Sequence, residues 1–233
     1  MQSAVLLSGG LDSAVLLAQE AAQAGLELVQ PIYVSVGLAW EDAEKAAVDS
    51  VLALEPFRSR TRPLVSLTVD MRDVYAAGHW AIEGRPPGYH TPDEDVYLPG
   101  RNVILLGKAA VYCAAASLDR LVLGTLGHNP FPDATPAFRT AMAQALSLGL
   151  AHPLIIDAPF SAESKAEVIR RGVALGVPLD VTLSCMNPLR RVHCGICSKC
   201  RERHDAFLEA GIADTTEYAN RGFVGIQGVP LRE

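Results

Sequence analysis

The segment Ala4-Val5-Leu6-Leu7-Ser8-Gly9-Gly10-Leu11-Asp12-Ser13-Ala14-Val15 decides the architecture. Its first four residues are apolar throughout, as in a strand covered on both faces, and Leu11, Ala14, Val15 and Ala18 then recur at helical spacing. A buried strand that enters a helix through a glycine turn opens a βαβ unit. The alternation continues with a strand over 28–36, a helix over 41–54 and a strand over 64–69. Residues 78–100 carry Gly78, Gly84, Pro86, Pro87, Gly88, Pro92, Pro99 and Gly100 without periodicity and read as a long loop. Beyond it lie a helix over 102–117, a strand over 120–124, a helix ending near 148, a short strand over 154–156 and a helix over 162–175, with the sheet expected to continue to about 183. The pattern predicts an α/β fold, an open parallel sheet with helices on both faces. The glycine turn then sits at the carboxyl end of a central strand, where such sheets bind ligands.

Composition narrows the classes. The chain has 233 residues, 20 Lys and Arg against 26 Asp and Glu, and 49% hydrophobic residues. The length suits one large domain with a small appendage, and the division is placed at 1–183 and 184–233. The longest apolar runs, 4–7, 103–106 and 111–116, fall far short of the roughly 18 residues a bilayer span requires, so no membrane association is expected. No secretion signal is read at the N-terminus, because no basic region precedes the apolar run. Five cysteines, four of them between 185 and 200, suit a metal in a reducing compartment, and a cytoplasmic location is expected. The net charge of −6 argues against whole-surface binding of nucleic acid.

Ser8, Gly9, Gly10, Leu11, Asp12 and Ser13 form a turn whose N–H groups can converge on an anion in front of a helix N-terminus, with two hydroxyls added. The Walker A spacing and its lysine are absent, as is the dinucleotide G-x-G-x-x-G. Asp12 beside a phosphate suggests either a bridging Mg²⁺ or a cap on its own helix. The motif S-G-G-x-D-S resembles the PP-loop of ATP pyrophosphatases, which implies that it holds the β and γ phosphates of ATP while the α phosphorus is attacked. Lys165, in Ser164-Lys165-Ala166-Glu167, resembles the lysine that such enzymes direct at pyrophosphate, although a solvated surface lysine fits the sequence equally well. Arg101, in Pro99-Gly100-Arg101-Asn102, begins a helix and could turn its guanidinium into the same crevice.

Cys185, Cys194, Cys197 and Cys200 have the spacing C-x8-C-x2-C-x2-C. Four thiolates complete a tetrahedral zinc shell with no open position, so the role inferred is structural. Such a site adds on the order of 10 kcal/mol to local folding. An iron-sulfur cluster is the rival occupant. Cys113, in an alanine-rich helix, reads as a small core residue.

The ordered set S-G-G-x-D-S, P-G-R-N, S-K-A-E-V-I-R-R-G and H-C-G-I-C-S-K-C-R-E-R resembles the QueC family of 7-cyano-7-deazaguanine synthases from about residue 3 to residue 210. The resemblance implies that 7-carboxy-7-deazaguanine, ammonia and ATP give the nitrile on the route to queuosine, with Mg²⁺ and a structural Zn²⁺. It implies that Asp12, Lys165 and Arg101 act in catalysis, that Ser8 to Ser13 hold the nucleotide, and that Asn102, Phe131 and Asp133 face the substrate. A homodimer is expected by the same likeness. One segment departs from it: where the family carries a motif resembling D-Y-S-G-Y-P-D-C-R-P-E-F, this chain has Gly127-His128-Asn129-Pro130-Phe131-Pro132-Asp133-Ala134-Thr135-Pro136-Ala137-Phe138. The altered pocket leaves open a relative that couples the deazaguanine carboxyl to a protein amine, as family members in antiviral defence operons are thought to do. Two other readings stand beside it. A PP-loop tRNA sulfur transferase would need a further nucleophilic cysteine or a cluster. A nucleic-acid-binding zinc module would use Arg190, Arg191, His193, Lys199, Arg201, Arg203 and His204 as a basic patch.

Overall fold

The computed structural model describes residues 2–25, 27–127 and 129–222. Five parallel strands make one sheet: β1 (Ser3–Leu6), β2 (Gln30–Ser35), β3 (Val65–Thr68), β4 (Arg120–Val122) and β5 (Ile155–Asp157), in the order β3-β2-β1-β4-β5. The chain adds β2 and β3 on one side of β1, then crosses to the other side for β4 and β5. The loops after β1 and β4 therefore diverge at the carboxyl edge and leave a crevice between them.

Alternation along β1 explains the two layers. Ala4 belongs to one buried cluster with Ile32, Leu106, Ala109, Cys113 and Leu121, beneath helices α5 (Arg101–Ala115) and α6 (Pro136–Leu150). Val5 and Leu7 belong to the other, with Leu16, Leu17, Val48, Phe160, Ile169 and Phe207 from the side of α1 (Leu11–Gln23), α2 (Glu41–Leu52), α7 (Lys165–Ala174) and α8 (Ser198–Ala210). Cys113 is fully buried as expected, and burial pushes its thiol up to about 12.

Three segments differ from the sequence expectation. The 78–100 stretch is not structureless: it holds the short helix α4 (Trp80–Glu83) and a 3-10 turn at Asp93–Val96, after the short α3 (Phe57–Arg60) earlier in the chain. Ala81, Val96 and Leu98 are buried, and Trp80 stacks on Trp40 at 5.8 Å. Arg201 donates to the carbonyls of Tyr89 and Thr91 and to Asp93, so the stretch is a wall of the crevice pinned to α8. The sheet ends at β5 instead of continuing to 183. Residues near Leu179–Val181 form a 3-10 turn because Arg203 takes the Leu179 carbonyl at 2.6 Å and Leu183 N–H donates to the Gly9 carbonyl at 2.8 Å, which leaves no ladder partner. The basic patch over 190–204 is largely consumed by the fold. Arg203 is buried, bonded to Thr216, Thr182 and Ser184 as well, and lies over the Phe207 ring; Arg191 is bound to the Ala46 carbonyl and Ser50. His193 accepts from Ser184 N–H at 3.0 Å, and burial followed by the Arg203 charge holds its imidazole down at about 3. These groups are internal pins, which removes the footprint a nucleic-acid module requires.

Among the described residues no helix is long and apolar enough to cross a membrane. The turn after β1 is the tightest point of the fold. Gly9 has φ +76°, and a Cβ there would lie 2.8 Å from the Glu44 carbonyl oxygen of α2. Gly9→Ala is expected to lower stability by about 1–3 kcal/mol, through left-handed strain and a backbone clash. Thermal and urea denaturation read this, and an unchanged midpoint would contradict the close approach.

Candidate active site

The phosphate-loop residues are assembled at the crevice floor. Ser8 Oγ accepts from Gly10 N–H and meets Ser13 Oγ, both at 3.3 Å, while Ser13 Oγ donates to the Gly10 carbonyl at 3.0 Å. The two hydroxyls are thus bound to the turn itself and set its shape. Gly10, extended, is the N-cap of α1, and no side chain caps that helix. This settles the choice left open for Asp12: it is the second helical residue and does not cap. Its carboxylate instead receives Lys165 Nζ at 3.1 Å.

Lys165 is the first residue of α7, whose start is fixed by a capping box in which Ser164 Oγ accepts from Glu167 N–H and Glu167 accepts from Ser164 N–H. It is no surface lysine: its side chain is 12% exposed and its ammonium lies between Asp12 and Glu202, the latter at 2.6 Å. Burial opposes its charge, yet Asp12 and Glu202 outweigh burial and hold Lys165 above the ordinary lysine value. Glu202 also pairs with Lys199, and against the cost of burial the two ammonium groups hold its carboxyl well below the usual range.

Three adjoining lobes meet at Gly124, just past β4. The first is lined by Asp12, Lys165, Lys199, Glu202, Glu163 and Asn129. Ser8, Gly10, Ser13, Glu44 and Arg101 line the second. The third takes Arg101 and Asn102 with the rings of Trp80, Tyr97 and Phe131. A Cβ on Gly124 would meet the Asp12 carbonyl at 3.4 Å, so the absence of a side chain keeps the junction of the lobes open. Arg101 borders two lobes, and its buried Nε has no hydrogen-bond partner among the described residues. A guanidinium held this way is a ready acceptor site for phosphate or carboxylate oxygens. Asp12 Oδ1 is likewise buried without a partner among the described residues.

Phe131 stacks with Tyr97 at a centroid distance of 5.0 Å, giving the third lobe a flat apolar wall. Asp133 is buried behind it, and its carboxylate accepts from the backbone N–H of Asn102 at 3.0 Å and from Asn102 Nδ2 at 3.3 Å. It therefore fixes the N-terminus of α5, and with it Arg101, in addition to bordering the third lobe. His128, read as part of the altered pocket, lies outside the described residues.

Sequence reasoning missed Glu44, Tyr97, Lys199 and Glu202. Glu44 accepts from Tyr33 OH and Trp40 Nε1, both at 3.0 Å, and burial pushes its carboxyl up although Arg101 pulls it down. No local pattern distinguishes it from its neighbours Glu41 and Asp42. Lys199 and Glu202 carried a signal in their i,i+3 spacing, which places opposite charges side by side on one helix face.

The four cysteines come together, with all four sulfurs within 4.8 Å of one another. The Cys197–Cys200 and Cys194–Cys200 sulfurs are 3.5 and 3.9 Å apart, against an edge of about 3.8 Å for a tetrahedron of thiolates around zinc. Backbone N–H groups of Cys194 and Asn187 point at the Cys185 sulfur, and that of Gly195 at the Cys200 sulfur. The donor set fits a metal held by four thiolates, with its outer hydrogen bonds in place.

A parallel sheet with an anion-binding turn at its switch point, beside a four-thiol cluster that can hold a metal, defines the class. A family model described as "Queuosine biosynthesis protein QueC" matches residues 2–211. The 7-cyano-7-deazaguanine synthases of Thermoplasma volcanium and Anaeromyxobacter dehalogenans are each 32% identical to this chain over 94% of its length, and the match covers 91% and 96% of them. That of Azoarcus sp. is 33% identical over 94% of this chain and 98% of its own. The chain belongs to the QueC family.

Cys197→Ser is expected to remove bound metal and to lower the melting temperature, with α8 released first. Elemental analysis of the purified protein reads the first effect, and a full complement of metal in the variant would contradict a four-thiolate centre.

Proposed function

We propose that this protein is an ATP-dependent carbon–nitrogen ligase that converts 7-carboxy-7-deazaguanine and ammonia to 7-cyano-7-deazaguanine in queuosine biosynthesis. One observation carries this reading most directly: the turn at Ser8–Ser13, Lys165 and Arg101 converge on a single crevice whose third lobe is walled by aromatic rings. A phosphate site and a flat apolar slot share Arg101 and Gly124, so a nucleotide and a planar base can meet there.

A carboxylate is a poor electrophile. In the proposed reaction one carboxylate oxygen attacks the α phosphorus of ATP, pyrophosphate leaves, and ammonia displaces AMP from the resulting acyl adenylate with loss of a proton to give the amide. The amide oxygen then attacks a second ATP in the same way. Loss of AMP and of both nitrogen protons leaves the nitrile. The residues serve this chemistry by position: Ser8, Gly9, Gly10, Leu11 and Ser13 present the turn to the β and γ phosphates, and Lys165 meets the charge that grows on departing pyrophosphate. Arg101 stands where it can serve the α phosphate and the substrate carboxylate in turn. Asn102 and Phe131 border the base, with Asp133 behind them as the anchor of α5.

Mg²⁺ fits at Asp12, whose Oδ1 is free inside the crevice; bound there it would shield phosphate charge. Zn²⁺ fits the four thiols and, with its shell closed, would hold the segment after Leu183 without joining the chemistry. The same reading divides the chain at 183 and 184 into a nucleotide unit and a metal-binding segment.

The test is mass spectrometry of the products formed from 7-carboxy-7-deazaguanine, Mg-ATP and ammonium, with AMP counted. The nitrile with two AMP per product is expected. The amide alone, or AMP release that requires a protein amine, would move the protein to a conjugating relative, and no AMP would refute the reading. Asp12→Asn is expected to cut AMP formation by about 100-fold or more without unfolding the protein. Turnover at the wild-type rate would remove Asp12 from the site.

A further inference from the structure

We propose that Glu202 is a positioning residue that holds the Lys165 ammonium over Asp12, and that the four-cysteine turn fixes Glu202 in place. The proposal rests on the reading that Lys165 serves the nucleotide phosphates.

Lys165 has every reason to be elsewhere. It is the first residue of α7, where the helix dipole disfavours a cation. Its long side chain gives up about 2 kcal/mol of rotamer freedom when held. It is nevertheless fixed between two carboxylates, and the contact to Glu202 Oε1 at 2.6 Å is shorter than that to Asp12 Oδ2 at 3.1 Å. The other oxygen of Glu202 takes Lys199, so the carboxylate cannot rotate away without breaking a second ion pair.

The backbone under Glu202 is anchored on both sides. Cys200 lies in the thiol cluster and its N–H donates to the Cys197 carbonyl at 3.0 Å. Arg201 is tied to Tyr89, Thr91 and Asp93. Arg203 is buried and makes four hydrogen bonds, to Thr216, Thr182, Ser184 and the Leu179 carbonyl. Residues 200, 201 and 203 are thus fixed by three independent sets of contacts, and the side chain between them is the one that reaches across to α7. The thiol cluster and the phosphate loop are joined in this way through one helix turn and two ion pairs. An ammonium already oriented needs little reorganisation when phosphate charge arrives, and that preorganisation is what a positioned donor contributes.

Acylation of lysines by an N-hydroxysuccinimide ester, read peptide by peptide by mass spectrometry, reports the held state directly, because only the free amine reacts. Glu202→Gln keeps the shape and removes the charge; it is expected to raise the labelling rate of Lys165 by about tenfold, the change in free amine that one pKa unit gives, with Lys45 and Lys108 unchanged as controls. The same variant is expected to lower kcat for AMP formation by about 10- to 100-fold while KM for ATP stays near the wild-type value. Glu202→Asp keeps the charge but shortens the reach, and is expected to resemble the glutamine variant. Wild-type labelling or wild-type turnover in Glu202→Gln overturns the proposal, as does full turnover in Glu202→Asp. Lys165→Met separates the two levels. Loss of AMP formation there with Glu202→Gln unaffected defeats the positioning role alone, and retained AMP formation in Lys165→Met defeats both that role and the phosphate role of Lys165.

Discussion

The chain can return over its own sheet only because the turn between β1 and α1 passes within contact distance of α2. Gly9 touches the α2 backbone on one side, and its carbonyl accepts Leu183 N–H on the other. That turn fixes three things at once: the start of α1, the height of Asp12 above the sheet edge, and the path of the segment that leads into the cysteines. A side chain at Gly9 would force these elements apart, and with them the floor of the crevice.

Charge is distributed around that floor with economy. Two lysines and Arg101 face two acids, Asp12 and Glu202, while Glu44 is kept in a neutral-leaning setting by burial and by donors from Tyr33 and Trp40. Buried charges of one sign are costly unless paired, and here each ammonium in the crevice has a carboxylate. Arg101 is the exception, with its buried Nε unpaired, and it stands at the junction of the nucleotide lobe and the aromatic lobe. An unmatched guanidinium at such a junction is the natural receiver of the anion that passes from carboxylate to adenylate.

The sheet and the two motifs were legible because their signals are local. An apolar run ending in Gly-Gly marks β1 and its turn, and thiol spacing alone predicts a shared centre. What escaped depends on contacts made across the sequence. Asp133 binds the N-terminus of α5 from 31 residues away, so its anchoring role has no local signature. Arg203 sits in a run of charges that reads as a solvated face, yet its guanidinium is buried because three hydroxyls and a carbonyl surround it. The proline-rich stretch over 78–100 carries no periodicity, but single apolar residues in it, Ala81, Val96 and Leu98, are enough to seat it on the core. Lys165 could be read either as a surface or as a site residue until its two acidic partners, 153 and 37 residues distant, were seen.

The central claim is that one crevice activates the same carbon twice through the α phosphorus of ATP. Its most direct test uses 7-carboxy-7-deazaguanine labelled with ¹⁸O in both carboxylate oxygens, with the AMP analysed by mass spectrometry. One ¹⁸O in every AMP and none left in the nitrile is the expected result. Unlabelled AMP, or label recovered in inorganic phosphate, would contradict attack of the substrate oxygen on the α phosphorus.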